Sequence, residues 1–269
     1  MEIALNAKVL QGSLNWETTL NWSLNRNKIL SLANNQRQLP NGKAGTKWGN
    51  VIRNIVGRPM GDMYMLKVIG TYNSIGDLIY ENTNGDNTIN TDDYQYVGNY
   101  QPDFTYGWTN RLGYKNFDLA ITIDGQAGGK VIYAAARAYS LNLWDNVLAE
   151  SGLGRWHSAE QPGNGTSHKA GTNNLGSNIQ PSTRYLYDAD FLRIRNIALG
   201  YTLPAKACEA VGLQRLRLSV NIQNLWTFDS YPGYSVEANY NGNSATNNGV
   251  DFGSYPISRV MTFGINATF

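Results

Sequence analysis

Cysteine is nearly absent: the 269 residues hold one, Cys208, so neither an intramolecular disulfide nor a cysteine-rich metal centre can form. Charge is scarce as well. Lysine and arginine number 22, aspartate and glutamate 20, and no basic run is dense enough to follow a phosphate backbone. Nucleic acid is therefore not an expected partner. No uninterrupted apolar run approaches the roughly 18 residues of a membrane-spanning helix, although a strand-built membrane protein, whose segments alternate, stays allowed. Met1 to Leu10 lacks a basic segment followed by an apolar core, so no export signal is read, and a fragment or split gene product is expected. Histidines number 2, and both His157 and His168 sit in stretches rich in Gly, Asn and Ser with no partner at metal-ligand or catalytic spacing. They are expected to be solvated loop residues, and no catalytic residue is assigned.

What the chain does contain is the material of strands and turns: 17 tyrosines, 28 glycines and many asparagines. Met261, Phe263, Ile265, Ala267 and Phe269 alternate with Thr262, Gly264, Asn266 and Thr268, the pattern of a strand with one apolar face. Leu216, Leu218, Val220 and Ile222 alternate with Arg215, Arg217, Ser219, Asn221 and Gln223, so the second face must meet water. The same alternation runs through Leu14 to Asn25, Phe104 to Tyr114 and Phe117 to Asp124. Runs of about 9 to 12 residues are long enough for tilted strands to cross a bilayer. From Phe191 to Leu203 the alternation changes phase near Arg195 and Asn196, which a β-bulge would absorb.

Connections are of two kinds. Tyr114, Lys115 and Asn116 make a tight hairpin, and Pro204 to Gly212 a short link with room for one helical turn. Residues 128–188 and 229–256 are long and rich in Gly, Asn, Ser and aromatics, with one helix candidate near Val131 to Glu150. Short turns at one end and long loops at the other are the habit of an outer-membrane barrel. No repeat or linker divides the chain, so residues 1–269 are read as one domain. The expected fold class is all-β: an antiparallel up-and-down transmembrane β-barrel segment of about eight long strands with long extracellular loops.

Five segments carry a family resemblance in order and spacing: Asn99 to Tyr106 (NYQPDFTY), Gly113 to Leu119 (GYKNFDL), Asp190 to Pro204 (DFLRIRNIALGYTLP), Leu216 to Phe228 (LRLSVNIQNLWTF) and Tyr255 to Phe269 (YPISRVMTFGINATF). Over nearly its whole length the chain resembles the C-terminal part of the barrel of SusC-like, TonB-dependent outer-membrane transporters. Such barrels close with about 22 strands around a plug, so the chain looks like the last third or so of one. The resemblance implies a transporter rather than an enzyme, in the outer membrane of a Gram-negative bacterium of the Bacteroidetes type, importing oligosaccharides or peptides. It also implies a SusD-like lipoprotein lid, TonB acting through a plug domain that the match does not include, the barrel-assembly machinery and outer-membrane lipid as partners. Phe269 fits the assembly signal of such proteins, a final alternating strand ending in an aromatic. Two alternatives stay open: a soluble, secreted carbohydrate-binding β protein whose apolar faces meet inside a sandwich, and an inactive remnant of a split transporter gene.

One motif suits a cation. Asn82, Asn84, Asp86, Thr88, Asn90 and Asp93 stand at positions 1, 3, 5, 7, 9 and 12 of a loop resembling an EF-hand or dockerin calcium loop, with Ile89 as apolar anchor. No cofactor is required, and Ca2+ is the one candidate. The pattern departs from such loops at Asn82, where aspartate is usual, at Asn87, where glycine makes the turn, and at Asp93, which is shorter than glutamate. A plain polar turn built from the same residues is the competing expectation. Gly125 to Lys130 (GQAGGK) is one residue short of a phosphate loop and has Val131 where Ser or Thr should hold magnesium, so it predicts no nucleotide site. Asp188 and Asp190 read as a turn before a strand. Tyr139, Trp144, Trp156, Tyr185, Tyr187, Tyr231, Tyr234 and Tyr240 are the loop aromatics proposed to touch substrate or lid, against the alternative that they pack the loops or form an interfacial girdle.

Overall fold

The computed structural model describes residues 1–43, 48–72, 74–141, 146–170, 178–240, 242 and 248–269. In chain order the strands are β1 (Glu2–Leu10), β2 (Leu14–Ser23), β3 (Gln38–Lys43), β4 (Asn50–Ile55), β5 (Asp62–Met65), β6 (Val68–Gly70), β7 (Ile79–Tyr80) and β8 (Gln95–Asn99). They continue with β9 (Phe104–Tyr114), β10 (Phe117–Ala127), β11 (Lys130–Tyr133), β12 (Leu186–Asp188), β13 (Phe191–Thr202), β14 (Arg215–Phe228), β15 (Val250–Asp251) and β16 (Val260–Thr268). Short helices α1 (Ala136–Leu141), α2 (Ala149–Leu153) and α3 (Ala205–Glu209) lie in connections.

The long strands form one sheet in the order β1-β2-β9-β10-β13-β14-β16, each antiparallel to its neighbour. Seven strands stand where about eight were expected. β1 and β16 are its two edges, so within this chain the sheet does not close on itself. Edge N–H and C=O groups have no water to turn to inside lipid, so further strands must pair with them.

Register turns the alternation into two continuous faces. Leu216, Leu218, Val220 and Ile222 stand opposite Ala267, Ile265, Phe263 and Met261. Tyr201, Leu199 and Ile197 lie on the other side of Leu218, Val220 and Ile222, and Leu119 and Ile121 extend the row. Ile123 meets Trp108, Trp108 meets Leu20, and Leu20 meets Leu5. Nothing among the described residues covers this face: Phe263 is 76% and Ile265 75% exposed. A sandwich would press it against a second layer, so the soluble alternative does not fit this fold.

The phase change is a bulge. Against β10, Asn196 pairs with Thr122 and Ile194 with Ile123, leaving Arg195 as the extra residue of β13. Against β14, Ile194 pairs with Trp226 and Asn196 with Gln223, so two residues, Asn224 and Leu225, stand opposite Arg195. The bulge returns Leu192 and Ile194 to the face of Ile197 and Leu199.

Short connections gather at one end: residues 11–13, the turn 115–116 with Lys115 in the left-handed region (φ 52°), and the link holding α3. The long connections 24–103, 128–190 and 229–259 leave from the other end and merge. β3, β4, β5 and β8 make a four-stranded sheet, and β11 lies between β12 and β15, tying the second and third connections together. A bridge from Leu66 to Ser182 ties the first to the second. Their shared core contains Trp48, Val51, Ile52, Met63, Met65, Ile132, Ala134, Tyr185 and Val250. Among the described residues of Val131 to Glu150, helix is confined to α1 and the start of α2, and Val131 and Ile132 are drawn into β11 beside Tyr187 and Leu186.

Candidate functional site

The polar face of the sheet is laced with ion pairs. The guanidinium of Arg217 donates to both oxygens of Asp118 at 2.5 and 2.8 Å, crossing over β13 to do so. It crosses at Gly200, where an added Cβ would collide with the guanidinium. Arg195 donates to both oxygens of Asp124 at 2.8 and 2.6 Å. Glu17 faces Arg111 across β2 and β9. Arg193, 3% exposed, donates to Glu237 at 2.5 Å and to Thr227, fastening the third connection to the wall. Such a surface requires water.

On the apolar face the rare polar groups are paired with one another. Trp16 Nε1 donates to Asn110 Oδ1 at 3.0 Å, and Trp108 Nε1 donates to Thr18 Oγ1 at 2.8 Å. Lipid offers no substitute partner, so these bonds let two indoles and two short polar side chains face hydrocarbon.

Above the wall, the loop aromatics divide by burial. Tyr185 is 1% exposed, tilted against Trp48 at 4.9 Å, with its hydroxyl donating to Asn178 O. Tyr231 is 6% exposed, packs edge-on to Tyr133 and Tyr187, and donates to Asp251 Oδ2 at 2.7 Å. Burial and the Asp251 carboxylate push the Tyr231 hydroxyl far above the ordinary tyrosine value. Both rings are packed into the folded loops, and Tyr185 also borders the cleft that Tyr187 lines. Tyr187 is half-buried and lines a cleft of about 350 Å³ with Tyr133, Leu78, Arg184 and Pro232. Trp156 is half-buried, its ring lying where a Cβ on Gly76 (φ 81°) would be. Tyr234 is 72% exposed, and Tyr240 is half-exposed beside Phe252. Tyr139 falls in α1, its side chain outside the described set, and Trp144 lies outside the described residues.

A polar cleft of about 550 Å³ opens where the wall meets these loops, with Gln126 and Lys130 on one side and Glu237, Asn239 and Asn248 on the other. Amides and paired charges of this kind suit hydroxyl-rich or amide-rich ligands.

The loop from Asn82 to Asp93 is closed by its own hydrogen bonds. Asn82, Asn84, Asp86 and Asn90 each accept from a backbone N–H two or three residues on: Gly85, Asp86, Thr88 and Asp92. Asn87 takes the left-handed turn at φ 62°. Asp93, fully buried, accepts from the N–H groups of Thr83 and Asn90, which hold its carboxyl below the usual range. Thr88 contributes a backbone N–H to Asp86. Among the described residues no cluster of three His, Cys, Asp or Glu side chains is placed to hold a metal.

His168 departs from expectation. It is 8% exposed, with Nδ1 at 2.8 Å from Lys169 O, and burial pulls its pKa below the ordinary value. Around it, Asp77 takes Lys169 at 3.1 Å and Asn178 at 2.6 Å. His157 is exposed, as expected. Cys208 is buried in α3 against Leu203 O. Phe269, 83% exposed, follows directly on β16.

A seven-stranded antiparallel wall with a greasy outer face, an ion-paired inner face and merged loops at one end defines a segment of an outer-membrane β-barrel. No family model matches the chain. Its sequence is 30% identical over 298 aligned positions to TonB-dependent receptor P3 of Formosa agariphila, covering all of this chain and 28% of that protein. It is 24% identical to TonB-dependent receptor SusC of Bacteroides thetaiotaomicron, covering all of this chain and 26% of that protein. Its fold superposes on a chain of the RagAB peptide transporter with a TM-score of 0.80 at 20% identity, again over all of this chain and 28% of the other. In sequence and fold the chain is similar to the C-terminal β-barrel portion of SusC-like TonB-dependent receptors, and it is an outer-membrane protein. The chain spans 28% of the length of the first two such relatives.

Proposed function

We propose that the chain forms part of the wall and outer mouth of an energy-coupled importer that carries oligosaccharides or peptides across the outer membrane, without covalent chemistry of its own. A SusD-like lipoprotein closes over the merged loops, TonB acts from the periplasm through a plug, and the barrel-assembly machinery reads β16 and Phe269. The observation behind this reading is the pairing of an uncovered apolar face with an ion-paired opposite face on the same seven strands. Tyr234, Tyr240 and Trp156 keep ring surface outside the core, and we assign them to substrate or lid contact. In cells carrying the intact receptor, uptake of a fluorescent oligosaccharide or peptide pool should cease when the receptor gene is deleted or the proton gradient is discharged. Undiminished uptake in the deletion strain would remove the reading.

The loop from Asn82 to Asp93 is proposed to take calcium weakly. Its turn geometry already gathers side-chain oxygens, while Asn82 lacks charge and Asp93 is committed to backbone N–H groups. Calorimetry on the intact receptor should show binding in the millimolar range, about the affinity of extracellular calcium modules, that Asp86→Ala abolishes. Silence at that concentration leaves the plain polar turn.

A further inference from the structure

Beyond the wall, the loop unit holds a second cleft, of about 640 Å³, whose lining includes Arg53, Arg137, Gln38, Gln180, Trp48 and Tyr94. Two guanidinium groups border it, with one carboxylate, Asp92, exposed at its rim. Asp93, next in sequence, turns its oxygens into the polar loop, where they accept from Thr83 and Asn90. Arg53 stands on β4 and is stacked over Tyr64 at 4.8 Å and Tyr94 at 5.8 Å. A guanidinium held over aromatic rings still has N–H donors in a planar fork, the geometry that suits a carboxylate. Arg137, at the start of α1, is half-buried, and desolvation holds it below the ordinary arginine value. The opposite wall is fixed: Trp48 Nε1 donates to Ile179 O at 2.8 Å.

From this placement we infer that the cleft between β4, α1 and residues 179–181 is a subsite for a carboxylate of the imported molecule. Arg53 and Arg137 supply the two cationic forks, while Trp48 and Tyr94 supply apolar wall against the uncharged part of the residue bearing the acid. The importer reading thereby narrows to acidic oligosaccharides or acidic peptides, and the subsite rests on that reading only for the fate of the bound molecule.

The test is calorimetric titration of the intact receptor in detergent with tri-galacturonate and with its neutral trimethyl ester. The acid should bind about tenfold more tightly than the ester, and its affinity alone should fall as sodium chloride rises from about 0.05 to about 0.5 M. In Arg53→Gln and in Arg137→Gln the two probes should bind alike, whereas Arg53→Lys should restore part of the preference. Equal binding of acid and ester to the unaltered receptor, or a preference that survives both glutamine variants, overturns the subsite. The salt series on the unaltered receptor decides the matter even where a variant fails to fold. A charge preference without import in cells would remove the importer and keep the subsite; import without charge preference does the reverse.

Discussion

Ile52, in the loop core, and Ile265, on the last strand, are the same residue in opposite circumstances: 0% exposed in one case and 75% in the other. Around Ile52 the chain solves the hydrophobic problem itself, by bringing Met63, Ile132 and Val250 from three distant connections into one core. Around Ile265 it does not, and Phe263, Met261 and Leu218 are left outward. The difference shows that one chain meets two solvents. Water orders the loops into a compact unit, and lipid completes the sheet.

This contrast is open to attack from either side. Ile52→Ala should cost about 2–5 kcal/mol of loop-unit stability by leaving a cavity. Hydrogen exchange should speed in β4, β5, β11 and β15, while the long strands stay protected. Uniform loss of protection in both regions would mean that loops and wall form one cooperative body. Ile265→Arg should cost about 2–4 kcal/mol in folding into phospholipid vesicles if it lies at mid-bilayer depth. The loop unit should be untouched, as read by protease resistance, and an arginine accepted at no cost would mean that the face meets water.

Smaller effects refine the picture. Arg217→Gln breaks the double bond to Asp118, but both partners are partly exposed, at 31% and 50%, so about 1 kcal/mol or less is expected. Denaturant titration should detect this, with the penalty shrinking in high salt. His168 gives a pH dependence confined to the loops. Burial depresses its folded pKa below 6.5, so the unfolded chain binds the proton more readily. Loop stability should therefore be complete above pH about 6.5 and decline as the pH falls through that value, and His168→Gln should flatten the decline. Arg184 and Arg155 also face this site and further oppose protonation, whereas the Lys169 carbonyl and Asp77 favour it without offsetting the burial.

Much of the wall was legible in the sequence because alternation at a period of two is a local property. β2, β9, β10, β13, β14 and β16 all announce themselves this way, and even the extra residue at Arg195 shows as a change of phase. β1 was the exception: Ala4, Asn6 and Lys8 against Ile3, Leu5 and Ala7 make a weak contrast. The loop unit was not legible, since its short strands exist only through partners far along the chain, such as Ile132 with Val250 or Leu66 with Ser182. The same reason hid the core roles of Tyr185 and Tyr231 and the burial of His168, whose immediate neighbours read as exposed loop. Pairs such as Asp118 with Arg217 were equally hidden, because a whole strand, opened by Gly200, stands between them.

The account turns on which side of the sheet touches lipid. Spin labels placed singly at positions 260 to 267 of β16, in the receptor reconstituted into phospholipid vesicles, measure this through relaxation by oxygen, which favours lipid, and by a nickel chelate, which favours water. Positions 261, 263, 265 and 267 should show high oxygen accessibility and positions 262, 264 and 266 high nickel accessibility, alternating residue by residue. A uniform profile, or one with the two sets exchanged, would contradict the assignment of the apolar face to the bilayer.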